Sequence, residues 1–182
     1  TFTVHFHEKL DLAIIEFKDF DRKFYTGHAV FAKDSSSARP GDFLCRIGYP
    51  FPEFNSYNYN HEADDIEWSS VGNTNVPRFP QEGMVTRYVG DENNNVIGIE
   101  LSTPGFKGHS GGPLFDKDGL VYGMQFATRH LHMGFDINNA NIMINGKEEL
   151  VNNQPFLHVG NCITGNLIKE FLDRFNIEYF EA

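Results

Sequence analysis

The sequence predicts an all-β chain closed by a single C-terminal α-helix, on three observations. Short apolar runs separated by Gly, Pro, Asn and Asp recur along almost the whole length. Eighteen Phe and seven Tyr supply bulky side chains that suit packed sheets. Helical spacing is clear in one place only, where Leu167, Ile168, Phe171, Leu172 and Phe175 fall on one face behind Thr164, a good N-cap.

The elements follow in order. Phe2-Thr3-Val4-His5-Phe6 alternates, as a strand with one buried face does. Leu12-Ala13-Ile14-Ile15-Glu16-Phe17 is a second strand, apolar enough to be covered on both faces. Residues 35–41, polar and ended by Pro40-Gly41, form a connector and mark a domain boundary after residues 1–34. Phe43-Leu44-Cys45-Arg46-Ile47 is a strand stopped by Gly48 and Pro50. Residues 51–82 are long and polar and predict an elaborated surface loop. Met84 to Val89 and Val96 to Leu101 are hairpin partners across residues 90–95. Pro113-Leu114-Phe115 and Leu120 to Phe126 flank an Asp118-Gly119 turn. Residues 129–155 form an Asn-rich second insertion, expected to be a loop over the site, and residues 164–176 form the closing helix. Residues 42–163 would then make up the second of two domains.

Composition excludes several function classes. At 182 residues, 40% hydrophobic and 22% charged, the chain is globular. A net charge of −10 argues against nucleic acid as a partner, because phosphate binding needs a basic face. No apolar run reaches the roughly 20 residues of a membrane span. Cys45 and Cys162 are far apart, and two isolated thiols predict a reducing, cytoplasmic setting. His5 and His7, like His130 and His132, share a strand face, but neither pair has a third ligand at metal-like spacing. No metal or organic cofactor is implied. Asp64-Asp65-Ile66-Glu67 and Glu148-Glu149 read as solvated acidic faces.

The most informative segment is Gly108-His109-Ser110-Gly111-Gly112-Pro113. Three glycines and a proline make a poor strand interior but a good tight turn. Such a turn presents a hydroxyl beside bare backbone N–H groups, the arrangement that acyl transfer needs.

Three segments in fixed order resemble the trypsin-like, chymotrypsin-fold serine proteases: Asp11-Leu12-Ala13-Ile14-Ile15, Ile47-Gly48-Tyr49-Pro50, and residues 108–113 with the hairpin that follows. The closing helix after Val159-Gly160-Asn161-Cys162-Ile163 resembles the bacterial high-temperature-requirement branch. The resemblance implies a double β-barrel and a peptidase acting on protein or peptide substrates. It implies Ser110 as nucleophile, the N–H groups of Gly108 and Ser110 as oxyanion hole, and Asp11 as the residue that orients a histidine. Gly111 and Gly112 would allow close approach of substrate and hairpin. Gln125, Phe126, Ala127 and Thr128 would bind substrate by strand addition and form one wall of the specificity pocket, with Pro104 to Lys107 opposite. Pro104 stands where the family's trypsins place an aspartate, which argues against a deep pocket for Arg or Lys.

Two departures matter. His109 stands where proteases activated by cleavage carry an aspartate, so the loop should not depend on that activation ion pair. The family's histidine lies well upstream of its aspartate, and only ten residues precede Asp11. His7, four residues away, would lie roughly 13 Å from Asp11 along a continuous strand. Too few strands precede residue 35 to close a first barrel. The expectation is a missing N-terminal segment of the same protein that supplies the histidine. The alternative is an inactive, protease-like peptide-binding module.

Overall fold

Alternating burial along its strands closes part of this chain into a barrel. The computed structural model describes every residue except 22, 24–26, 52–56, 61, 64 and 69–75. In chain order the strands are β1 (Phe2–Phe6), β2 (Ala13–Phe17), β3 (Val30–Phe31), β4 (Phe43–Gly48), β5 (Tyr57–Asn60), β6 (Asp65–Trp68), β7 (Phe79–Gly90), β8 (Val96–Leu101), β9 (Pro113–Phe115), β10 (Leu120–His132), β11 (Ile137–Ile144), β12 (Lys147–Asn153), β13 (Phe156–Thr164) and β14 (Phe180–Glu181), with helix α1 (Gly165–Asp173) before the last.

Six of them run in the order β13-β8-β7-β4-β9-β10, and β10 pairs back onto β13. A barrel closed this way has no free edge within it. Its interior holds Leu44, Val85, Ile99, Leu101, Leu114 and Cys162, capped by Ala38 from the connector. Strand β4 shows the alternation best, with Leu44, Arg46 and Gly48 buried and their neighbours not. This mostly β architecture with a C-terminal helix is that of the chymotrypsin fold.

The helix begins where Thr164 Oγ1 accepts from the Leu167 N–H at 3.4 Å. It buries Phe171 with Leu12 and Ile163, and Ile14, Met124, Phe126, Leu167 and Ile168 pack around them. Lys169 is buried yet satisfied: Nζ donates to the carbonyls of Ala32 and Lys33 and to Glu181, tying the helix to β3 and β14. Helix α1 ends at Asp173, before the residue 176 expected from the apolar spacing. Asn176 turns into the left-handed region at φ 53°, and Phe175 stacks on His5 outside the helix. Among the described residues no helix is long and apolar enough to cross a membrane.

Other expectations change. Within the connector, Ser35–Ser37 forms a 3-10 turn capped by Asp34. Hydrogen bonds from Ser36 and Asn166 hold the Asp34 carboxyl down to about 2. Strands β1 and β2 form a separate antiparallel hairpin. The chain folds back at once, with the His7 N–H donating to Leu12 O at 2.9 Å, so the expected span between His7 and Asp11 is lost. Ile15 and Phe17 are not covered on both faces but are 55% and 60% exposed. The second insertion is built of strands, not loop: β10 and β13 run on past the barrel and β11 pairs with β12. Part of the 51–82 insertion, Asp64 included, lies outside the described residues; the rest holds the β5–β6 hairpin and the start of β7.

Barrel closure leaves no room at Gly123, opposite Thr164, where an added Cβ would collide with the Ile163 carbonyl oxygen. Gly123→Ala should therefore lower stability by about 1–3 kcal/mol, seen as a lower melting temperature. An unchanged melt would contradict the closure.

Candidate active site

The 108–113 turn lies between β8 and β9 and packs against the segment that leaves β4. Gly108, with φ +97°, sits so close to Tyr49 that any Cβ would collide with its carbonyl. Tyr49 N–H donates to Gly108 O at 2.9 Å. Gly48 gives the same clearance to the His109 ring, and Gly112 to the Ile47 carbonyl. The glycines of both motifs are thus two sides of one backbone contact. Gly112 and Gly111 then join the turn to β10: Gln125 N–H donates to Gly112 O at 3.0 Å, and Gly111 N–H to Gln125 O at 2.9 Å.

Ser110 is exposed at the apex. Among the described residues, neither its N–H nor that of Gly108 is committed to a hydrogen bond, so both can donate to a ligand oxygen. His109, by contrast, is fully buried. Its Nδ1 accepts from the Phe106 N–H at 3.1 Å, which places the ring proton on Nε2. The ring lies among Phe79 and Phe106. Burial and then the Arg46 charge hold His109 below its ordinary pKa; a weak contribution from the Phe79 backbone opposes them, and Nε2 makes no full hydrogen bond. A neutral histidine therefore pins the turn from inside where an ion pair was not expected.

Arg46 was missed as a site residue. Its guanidinium is fully buried and, among the described residues, pairs with no carboxylate. Nε donates to Gln81 Oε1 at 2.8 Å and Nη1 to Gln125 Oε1 at 2.6 Å. Nη2 serves Thr103 O at 2.6 Å, Thr103 Oγ1 at 2.8 Å and Pro104 O at 2.8 Å. The start of the segment leading to Ser110 is thereby fixed to β4, β7 and β10. The available signal was an arginine inside an otherwise apolar inward-facing strand.

Of the expected substrate residues, Gln125 is buried, Pro104, Phe126, Ala127 and Thr128 are half-buried, and Lys107 is exposed. Strand β10 pairs with β13 from Gly123 to His132, with an irregularity at Phe126, while β9 covers its other side only as far as Met124. Beyond Gln125 that second edge is open among the described residues. Asp11 is exposed and, like Ser110 Oγ, has no hydrogen-bond partner among them; the structure shows no contact joining the two. Its neighbour Leu12 packs in the cluster that holds Phe126.

No described histidine contacts Ser110. His5 pairs with Glu16. His7 Nδ1 accepts from the N–H groups of Lys9 and Leu10 and its ring meets Phe171, so that nitrogen is not free to face Asp11. His130 faces His158 across β10 and β13, and His132 pairs with Asp136. Among the described residues no three His, Cys, Asp or Glu side chains could hold a metal ion. Cys45 and Cys162 are both free, and burial pushes the Cys162 thiol up to about 12.

The family model described as a trypsin-like peptidase domain matches residues 1–124. No curated protein matches the chain.

The buried neutral His109 makes stability depend on pH. Its folded pKa lies below the unfolded value of about 6.5, so the unfolded chain takes up the proton first. The contribution is fully present above about pH 6.5 and is lost as pH falls from there through the folded pKa. Thermal melts between pH 7.5 and 5 should fall less steeply for His109→Asn than for the native protein. Parallel slopes would exclude His109 as the source.

Proposed function

The chain belongs to the trypsin-like peptidase domain family, and from that membership we propose a serine endopeptidase in which Ser110 attacks the scissile carbonyl. One observation carries this reading: an exposed Ser110 flanked by uncommitted N–H groups on a turn whose glycines are fixed by close backbone contacts. In this reaction the Ser110 hydroxyl loses its proton to a histidine base as Oγ bonds to the carbonyl carbon. The Gly108 and Ser110 N–H groups hold the resulting oxyanion. The histidine then gives its proton to the leaving amine, and water releases the acyl group from Ser110. Asp11 orients the base and stabilises its charged form.

The base is assigned to a segment of the same protein outside the described residues. The outer edges of the β1–β2 hairpin, unpaired among the described residues, and its exposed Phe2, Phe6, Ile15 and Phe17 support that source, since further strands of a first barrel would cover them. A peptide substrate adds as a strand to the open edge of β10 beyond Gln125. The neutral residue ahead of Ser110 supports kinship with the high-temperature-requirement branch. Two free thiols support a reducing compartment.

The open β10 edge would serve a peptide-binding module equally well, and reactivity separates the two readings. A fluorophosphonate probe should label Ser110 in the intact gene product, and Ser110→Ala should abolish labelling and hydrolysis while leaving the melting temperature unchanged, because the side chain is exposed. Asp11→Asn should lower kcat by about 10⁴. An unlabelled Ser110 in the native protein would leave the binding module as the function.

A further inference from the structure

Resting on the peptidase reading, the choice of substrate at this site can be taken further, because the space beside Ser110 where a substrate side chain would enter is already occupied. The entry lies between residues 104–107 and residues 126–128. In a slot for long side chains these two walls stand apart with nothing between them. Here they are joined: Thr128 Oγ1 donates to Gly105 O at 2.7 Å. Behind that bond the Gln125 side chain spans the gap, Nε2 donating to Ala127 O at 2.5 Å. The same nitrogen lies 2.6 Å from where a Cβ on Gly105 would be, so the two are in close contact.

Gln125 cannot simply swing aside. Its Oε1 accepts from Arg46 Nη1 at 2.6 Å and from Cys162 Sγ at 3.4 Å. Arg46 in turn fills the rear of the gap, packed so tightly under Gly160 that a Cβ there would collide with Nη1. Moving the guanidinium would strip a buried cation of neutral acceptors it has no other way to replace, and that penalty is large. Breaking the Thr128 bond is cheap, but it exposes Gln125 and not a cavity.

We propose that this is a closed specificity slot, made by Gln125 and Thr128 and locked by Arg46, which admits only short side chains on the acyl side of the scissile bond: Gly, Ala or Ser. Among the described residues the guanidinium has no carboxylate beside it, so a cationic substrate side chain meets an unscreened like charge and is rejected most strongly. Glycine at 105 and 160 leaves room for the protein's own Gln125 and Arg46 side chains.

The test uses peptides identical except at that residue (Gly, Ala, Ser, Leu, Phe, Arg), measured twice with the full chain. Binding to Ser110→Ala is read by fluorescence anisotropy, and hydrolysis by the native protein is read as kcat/KM. Gly, Ala and Ser should exceed Leu and Phe at least tenfold in both, with Arg weakest. Gln125→Ala should raise Leu relative to Ala at least fivefold. Gln125→Val, which keeps a strand-forming residue but shortens the side chain, should raise the same ratio at least twofold and serves if the alanine variant fails to fold. A ranking that is flat, or led by Leu, Phe or Arg, overturns the closed slot. The expected binding order without hydrolysis supports the slot and overturns only the catalytic reading.

Discussion

The organisation of the site depends on one buried guanidinium. Arg46 points into a barrel otherwise lined by Leu44, Leu101, Leu114 and Cys162, an environment that strongly disfavours charge. It is tolerated because every acceptor around it is aimed at it: side chains from β7 and β10 and two consecutive carbonyls at Thr103 and Pro104. The carbonyls matter most. Residues 103–107 have no strand partner among the described residues, so their path is set by the two oxygens held on Arg46 Nη2 together with the bonds from Thr128 to Gly105 and between Phe106 and His109. The irregular segment that ends at Ser110 thus inherits the stiffness of the barrel.

The second constraint is steric. Gly48, Gly108 and Gly112 allow two backbone stretches to approach within distances that no side chain could survive. One consequence is that the turn cannot relax by bending away, because it would forfeit the Tyr49 and Gln125 hydrogen bonds together. His109 completes the arrangement from beneath, its Nδ1 accepting the Phe106 N–H, which has no other partner among the described residues. A carboxylate at 109 would need a cation there, and the nearest one, Arg46, already spends its donors on neutral oxygens. Histidine at this position and arginine at 46 are therefore one solution and not two independent ones.

How much of this was legible follows from where each signal resides. The closing helix, which ends three residues earlier than its expected 176, the hairpin across residues 90–95 and the tight turn at Ser110 are legible because each is decided by residues adjacent in sequence: the Thr164 cap, a loop rich in Asp and Asn, and glycines flanking a serine. The β11–β12 hairpin is not legible as strands because its Asn-rich segments bury almost nothing and show no alternation to detect. The reversal at His7 was missed because no Gly or Pro marks it; the turn is made by the His7 ring accepting two backbone N–H groups. The role of Arg46 was beyond reach for another reason. Its partners lie 35, 57 and 79 residues away, a juxtaposition that exists only once the barrel has closed.

The same distinction explains the β1–β2 hairpin. A two-stranded hairpin is marginal in water, and this one is held along one side only, by Leu12 and Ile14 against the helix and by His5 on Phe175. Its other residues do not match that exposure. Phe2, Phe6, Ile15 and Phe17 are strand-forming and apolar, and leaving four such side chains in water forgoes the burial that drives sheet formation. Asp11 lies at the turn of this hairpin, beside the one residue, Leu12, that anchors it to the cluster containing Phe126. Any strands that cover the apolar face must therefore also fix the position of Asp11 relative to Ser110. On the peptidase reading proposed above, burial of the hairpin and placement of Asp11 are a single event.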